Sequence, residues 1–387
     1  MNRPAFLNPA APTRVILVRH GRSTYNDQGR YQGSSDEAIL TPKGRQDAFQ
    51  TGLALQGISC SALYTSPLHR AQQTAQEILA AFQCSRHSIP VTLHRDLKEV
   101  DLPQWAGRRY QDVRETLAND YRCWIERPHE FEMRSPTHEL PQRPVPNLYA
   151  QAQRFWQQVL PRHAGQTLLV VSHGGTIRAL LSTALGIPCR YFHAQQQSNC
   201  GISVLNFPHQ QPAQLEVMND TSHLGEVLPK LKAGRQGLRL LLVPDTSAPM
   251  PLRSLFDLME INFSLSQGET AQTLSKELLA HQSQAVQLQT ERTDISRVWL
   301  QALNNRQISR QAEDGIVTGL WVTKPKMLQE MLSHVVGADK SMREALSLAP
   351  GRISVIHYAP SQSLPILQAM NFSDAVLSMR GLRLCAS

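Results

Sequence analysis

The chain has 387 residues, six cysteines and a net charge of +8, from 39 Lys and Arg against 31 Asp and Glu. That length exceeds one typical domain, so two are expected, and a core of this size needs no disulfide or metal staple. The cysteines (Cys60, Cys84, Cys123, Cys189, Cys200, Cys385) are scattered without a Cys-x-x-Cys pair. This argues against a zinc or disulfide framework and fits a reducing, cytoplasmic setting.

The positive charge is spread over both halves, with no basic run and no aromatic-basic interleaving. Nucleic acid is therefore not an expected partner. Met1–Thr13, with Pro4, Pro9 and Pro12, reads as a tail rather than a signal or transit segment. No apolar run approaches membrane-spanning length, so no membrane partner is expected.

Val15-Ile16-Leu17-Val18 is a short apolar, mostly β-branched run that passes directly into Arg19-His20-Gly21. The run predicts a buried strand, and Gly21 a sharp turn at its end. His20 is then presented at the carboxyl end of a central strand, where open α/β sheets place ligands. Arg19 is a permanent cation suited to gripping phosphate oxygens. In the polar loop that follows, Asn26 has an amide able to donate to a phosphate oxygen. Thr41-Pro42 opens a helix as N-cap and first helical residue.

Ala62-Leu63-Tyr64 predicts a second strand, and Ser66-Pro67 caps the next helix in the same way, with Arg70 one turn inside it. Val91-Thr92-Leu93 predicts a third strand, after which Glu99 is a candidate proton donor and Asp101 a competing one. A carboxyl near a bound phosphate dianion is pushed toward its protonated form. Residues 107–165 form a partly helical insertion carrying Arg108, Arg109, Arg114, Arg122, Arg127, Arg134 and Arg143. Thr167–Val171 is the clearest strand of the chain. It ends in Ser172-His173-Gly174-Gly175, which places His173 beside a helix N-terminus, a natural anion site. Ser198-Asn199-Cys200-Gly201 leads into a last apolar strand, Ile202 to Phe207.

Four strand ends thus carry Arg-His, Arg, Glu and His. Phosphoryl transfer is mostly positioning and charge stabilisation, and this set fits it: a neutral His20 attacks phosphorus and Glu99 protonates the leaving alkoxide. Water then releases phosphate with the same carboxylate as base, and no metal or cofactor is called for.

Arg19-His20-Gly21, Asn26, Ser66-Pro67-Leu68-x-Arg70-Ala71, Glu99 and Ser172-His173-Gly174-Gly175 resemble the histidine phosphatase (phosphoglycerate mutase-like) superfamily over about residues 14–220. The resemblance implies a three-layer α/β/α domain. It also implies a phosphorylated His20, a phosphate pocket of Arg19, Asn26, Arg70, His173 and Gly174, and Glu99 as proton donor.

Arg30–Asp36, Glu99-Val100-Asp101-Leu102, Tyr191-Phe192 and Gln197–Leu205 are similar to the plant 2-carboxy-D-arabinitol 1-phosphatase group. That group removes phosphate from sugar phosphates that inhibit Rubisco, and its members carry a second mutase-like half. Phosphoglycerate mutases usually follow the acid with a Glu-Arg-His-Tyr-Gly-type run, which Glu99-Val100-Asp101-Leu102 lacks. Many of the phosphatases read Gly-x-Trp-Glu-Gly where this chain has Pro103-Gln104-Trp105-Ala106-Gly107.

The expected organisation is a tail (1–13), a catalytic domain (14–224), a linker (225–237) and a degenerate, inactive second copy (238–387). Thr167–Phe207 aligns without a gap on Thr318–Tyr358, Gly186 meeting Gly337 and Ile202-Ser203-Val204 meeting Ile353-Ser354-Val355. The chemistry is missing from the copy. Lys324 faces His173, Pro325 faces Gly174, and Pro244-Asp245-Thr246 stands where Arg19-His20-Gly21 would be.

The expected partner is a small phosphorylated metabolite. The alternatives are another phosphatase substrate (phosphoserine, fructose bisphosphate, a cofactor precursor), a residual phosphoglycerate mutase activity, or a non-catalytic metabolite sensor.

Overall fold

The computed structural model describes residues 11–82, 89–134, 140–209, 212–246, 253–290 and 315–372. Cys84, Cys385 and most of the N-terminal tail lie outside the described residues. The described residues fall in two compact units: those up to Phe192 together with Gln197–Leu215, and His193–Gln196 together with those from Glu216 on.

In the first unit β1 (Thr13–Arg19), β2 (Ala62–Thr65), β3 (Val91–Leu93), β4 (Thr167–Ser172) and β5 (Ile202–Phe207) form a sheet in the order β3-β2-β4-β1-β5. The first four strands are mutually parallel and β5 runs antiparallel to β1. Successive strand residues point to opposite faces. Val15, Ile16, Leu17 and Val18 are all fully buried, as are Leu168 to Val171, so both faces of the sheet are covered, as parallel sheets require. The covering helices include the packed pairs α2 (Pro42–Ala54) with α3 (His69–Phe82), and α6 (Pro144–Val159) with α7 (Gly174–Ala184). The short α1 (Thr24–Asp27) follows β1, and the insertion supplies α4 (Tyr110–Thr116) and α5 (Ala118–Glu126) before α6.

The Ser66-Pro67 cap is the expectation corrected; Gly21 follows β1 without a positive φ. It is needed because α2 comes close: a Cβ on Gly21 would lie 2.4 Å from the Gly44 carbonyl oxygen, and one on Gly44 2.1 Å from that of Arg22. Ser66-Pro67 does not cap α3, which starts at His69 and makes Arg70 its second residue. The Ser66 hydroxyl has other work, described below.

The second unit contains β7 (Gly237–Pro244), β8 (Phe263–Gln267), β9 (Val286–Thr290), β10 (Ile316–Thr323), β11 (Ile353–Tyr358) and β12 (Ile366–Phe372). The first five of their order, β9-β8-β10-β7-β11-β12, repeat the order and directions of the first sheet. The helices are α8 (Arg253–Asp257), α9 (Glu269–Leu278) and α10 (Pro325–Val336), the last starting after Lys324 as α7 starts after His173. β6 (Gln214–Asp220) and β12 each carry an asparagine with positive φ, Asn219 at 56° and Asn371 at 53°.

Residues 225–236 form neither helix nor strand; Leu228 and Pro229 are buried, and half of the segment is exposed. Leu228 belongs to the core of the second unit, and the Gln236 carbonyl accepts from His357 at 2.9 Å. No helix among the described residues is long and apolar enough to cross a membrane.

Candidate active site

The register of β1 on β4 builds the centre of the site. Arg19 lies opposite Ser172 and the His20 amide donates to the Ser172 carbonyl at 2.8 Å. The next residue of each strand is a histidine, and the rings of His20 and His173 stand 5.1 Å apart, both buried. The His20 Nδ1 lies 2.8 Å from the Gly21 carbonyl oxygen. A carbonyl only accepts, so Nδ1 carries the proton and Nε2 keeps its lone pair.

β2 borders β4 on the other side, and the Ser66 amide donates to the Val171 carbonyl at 3.0 Å. This puts the Ser66 hydroxyl 2.7 Å from His173 Nε2. The His173 Nδ1 is buried without a partner. Burial first, then the charges of Arg70, His20 and Arg19, hold the His173 imidazole well below its ordinary value of 6.5, so it is neutral at pH 7.

Both arginines are anchored by carbonyls that fix their planes. Arg19 donates from Nη1 to the Gln197 carbonyl at 2.8 Å. Arg70 donates from Nη1 to Ser35 O at 2.7 Å and from Nη2 to Gly33 O at 2.8 Å. The Nε atoms of both are buried and unpartnered. Burial lowers both guanidinium values, Arg70 to about 10, which leaves Arg70 charged at neutral pH. Buried orphan donors in native proteins call for an explanation, and donors of this charge are suited to an anion.

Asn26 is held by its oxygen. Oδ1 accepts from the Ser23 amide at 3.2 Å, the Ser23 hydroxyl at 3.1 Å and the Asn199 amide at 3.1 Å. Its NH2 end is therefore turned away from these partners as a donor, and it reaches the Tyr110 hydroxyl. Asn199 also donates to the carbonyls of His20, at 2.9 Å, and Gly21, at 3.2 Å, tying the two loops together.

Of the two acidic candidates, Glu99 joins the site. Its Oε1 accepts from the amides of Val100 at 2.9 Å and Thr176 at 3.1 Å, and from the Thr176 hydroxyl at 3.3 Å. Oε2 accepts from the Gly175 amide alone among the described bonds, at 3.0 Å. The carboxylate thus sits on the positive N-terminus of α7. Asp101 is exposed and accepts from the Ser34 hydroxyl. Gly174 is where α7 passes Arg19: a Cβ there would lie 3.3 Å from Arg19 Nε.

Three arginines of the insertion pair locally. Arg108 donates to Thr116 at 2.9 Å, Arg122 to Asn119 at 3.1 Å and Arg127 to Glu130 at 3.0 Å. The insertion instead offers the site Tyr110, which feels the charges of Arg19 and Glu99 and stacks edge-on against Tyr31 at 4.7 Å.

The sequence matches decide the family. Residues 15–221 match the Histidine phosphatase superfamily (branch 1). The chain belongs to that superfamily. A 2-carboxy-D-arabinitol-1-phosphatase from Triticum aestivum is 38% identical over 209 residues, which is 54% of this chain and 40% of the plant protein. A probable 2-carboxy-D-arabinitol-1-phosphatase from Arabidopsis thaliana is also 38% identical, over 50% of this chain and 38% of its own length. This chain therefore spans about two fifths of these relatives. Phosphoserine phosphatase 1 from Hydrogenobacter thermophilus is 32% identical over 213 residues, 55% of this chain and 95% of that protein.

Within this histidine phosphatase unit, reading the sequence missed Ser66, Asn199 and Tyr110. Ser66 looked like a helix cap, and Asn199 like part of a loop leading into a strand. Their partners lie 107 and 173 residues away, beyond any local pattern.

Proposed function

We propose that the first unit is a phosphomonoesterase that works through a phosphohistidine on His20. The carrying observation is the set of unpartnered buried polar atoms, Arg19 Nε, Arg70 Nε and His173 Nδ1, beside a histidine whose Nδ1 is held at the Gly21 carbonyl. Arg19, Arg70, His173 and the Asn26 amide hold the phosphoryl oxygens. His20 Nε2 attacks phosphorus and the bond to the leaving oxygen breaks. Glu99 supplies the proton to the departing alkoxide through Oε2, its less engaged oxygen. Water then attacks phosphorus, the N–P bond breaks, and the Glu99 carboxylate takes the water proton. The protein matrix is pre-oriented for this, since every anchoring carbonyl is already in place.

The substrate we infer is a small phosphorylated sugar acid such as 2-carboxy-D-arabinitol 1-phosphate, or a related sugar phosphate that inhibits Rubisco. The names of the plant relatives support this reading. Phosphoserine is the second candidate, after the bacterial relative. The second unit we take as an inactive copy, because Asp245 and Lys324 hold the positions of His20 and His173.

Phosphate release from 2-carboxyarabinitol 1-phosphate, xylulose 1,5-bisphosphate, phosphoserine, 3-phosphoglycerate and fructose 1,6-bisphosphate tests the proposal. Turnover of the first compound that falls by about 10³-fold or more in His20→Ala supports it. Release that persists in the variant contradicts it. Binding without turnover in the wild type favours a metabolite sensor.

A further inference from the structure

We propose that Asn199 is the positioning residue of the phosphoryl-transfer site: its one side-chain amide fixes both the ring of the nucleophile His20 and the direction in which Asn26 presents its donors. The inference rests on the phosphatase reading above and adds to it the group that aims two of its substrate contacts.

The turn that carries Asn199 is bound to the end of β1 on both sides. Ahead of it, the Gln197 carbonyl accepts from Arg19 Nη1 at 2.8 Å. Behind it, the Cys200 amide donates to the Arg19 carbonyl at 3.0 Å, and the Gly201 amide closes the turn on the Ser198 carbonyl at 3.1 Å. The third residue of this turn, Cys200, has φ 56°, a left-handed backbone that turns usually give to glycine or asparagine. Such backbone is costly for a residue with a side chain, and it gathers where geometry serves a site. Here it keeps the half-buried Asn199 against the His20 loop.

Asn199 Nδ2 lies 2.9 Å from the His20 carbonyl oxygen, 3.2 Å from that of Gly21 and 3.1 Å from Asn26 Oδ1. Two of these are backbone carbonyls, which only accept, so the amide must present its NH2 end. The Gly21 carbonyl is also the one that accepts from His20 Nδ1 at 2.8 Å. Its two lone pairs serve both donors. Holding that oxygen therefore holds the imidazole plane and keeps the proton on Nδ1, the tautomer that attack through Nε2 requires.

The direction of Asn26 follows by the same logic. The Ser23 amide is a donor only, and together with Asn199 it commits Asn26 Oδ1 as the acceptor. The NH2 end is then the end that meets an anion. With Asn199 gone, one of the bonds that oppose a flipped Asn26 is lost, and the flip sets an oxygen against the phosphoryl group.

The test is a double-mutant cycle of Asn199→Ala and Asn26→Ala. Kinetic constants are measured on the phosphate ester turned over fastest in the panel above, and dissociation constants for orthovanadate. Nitrogen NMR of isotope-labelled histidine reads the His20 tautomer, with its signals assigned by their absence from His20→Asn. Urea midpoints verify folding. Asn199→Ser, which keeps a donor, is the conservative variant and replaces the alanine in the cycle where the alanine does not fold.

We expect Asn199→Ala to lower kcat/KM about 30-fold, as for loss of hydrogen bonds that orient reacting groups. Asn199→Ser should recover part of this. The double variant should lose about 10-fold less than the product of the two single losses, because part of what Asn199 does is done through Asn26. His20 should pass from the Nδ1–H tautomer to a mixture in Asn199→Ala. Single losses that multiply to within about 2-fold overturn the assignment and make Asn199 a separate support or a direct ligand. An unchanged His20 tautomer, or wild-type kcat/KM in Asn199→Ala, overturns it as well. Failure of the phosphatase reading would look different: no ester turned over by the wild type, with orthovanadate binding and the His20 tautomer still reporting on Asn199.

Discussion

His173 is a buried base among cations, and its low proton affinity has a cost that titration exposes. In the unfolded chain a histidine takes up a proton near pH 6.5, whereas in the folded chain burial and then Arg70, His20 and Arg19 hold it well below that value. Above pH 6.5 both states are neutral here and the folded state keeps its full stability. As pH falls below 6.5 the unfolded chain binds a proton that the folded chain refuses, so stability drops by up to about 1.4 kcal/mol per pH unit. Urea midpoints at pH 7.5 and 5.5 should therefore fall more steeply in the wild type than in His173→Asn. His94 and His357 are shifted the same way by burial, so the variant keeps part of the slope. An unchanged slope in His173→Asn would contradict this assignment. The identity of His173 was legible because it ends an unmistakable strand. Its Ser66 partner was not, because the bond depends on β2 and β4 lying side by side, which no short-range pattern encodes. Tyr110 hid for a related reason: its contacts with Asn26 and Tyr31 join stretches of chain about eighty residues apart.

The strands were the most readable elements. β5 spans Ile202–Phe207 and β3 Val91–Leu93, as the apolar runs indicate. The helix after β2 was less so, since Ser-Pro is a cap signal in general, and here the serine hydroxyl is drawn to His173 instead. The contact between the β1 exit loop and α2 makes a sharper prediction. Gly44 meets the Arg22 backbone so closely that a methyl group must displace one or the other. Gly44→Ala should cost about 1–3 kcal/mol by overpacking. It should also lower kcat, because the loop it pushes carries Ser23 and Asn26. Thermal unfolding and turnover measured together check this. A variant with wild-type stability would show that the loop yields freely.

At the scale of the whole chain, the feature the two units share is a repeated strand order. Two sheets share one strand order, and α7 and α10 start at matching positions, yet the residues at those strand ends differ in chemistry. Folding selects apolar runs and turn geometry, which Thr318–Tyr358 retains. Phosphoryl transfer needs particular side chains, which Asp245 and Lys324 are not. The repeat was legible because burial constrains both copies alike. The exchange of His193–Gln196 into the second unit was not, because no composition shift marks it. If the second unit takes no part in the chemistry, Asp245→Ala combined with Lys324→Ala should leave kcat/KM within about 2-fold of wild type, as for substitutions outside a site. A loss of 10-fold or more with the fold intact would give the second unit a catalytic role.

The most direct test of the account is to look for phosphate on His20. Wild-type protein is mixed with substrate, quenched within milliseconds under alkaline conditions that preserve phosphohistidine, and digested for mass spectrometry. The account predicts an acid-labile phosphoryl group on the peptide containing His20, formed no more slowly than turnover and absent from His20→Ala. Phosphate on another residue, or full turnover in His20→Ala, would contradict it.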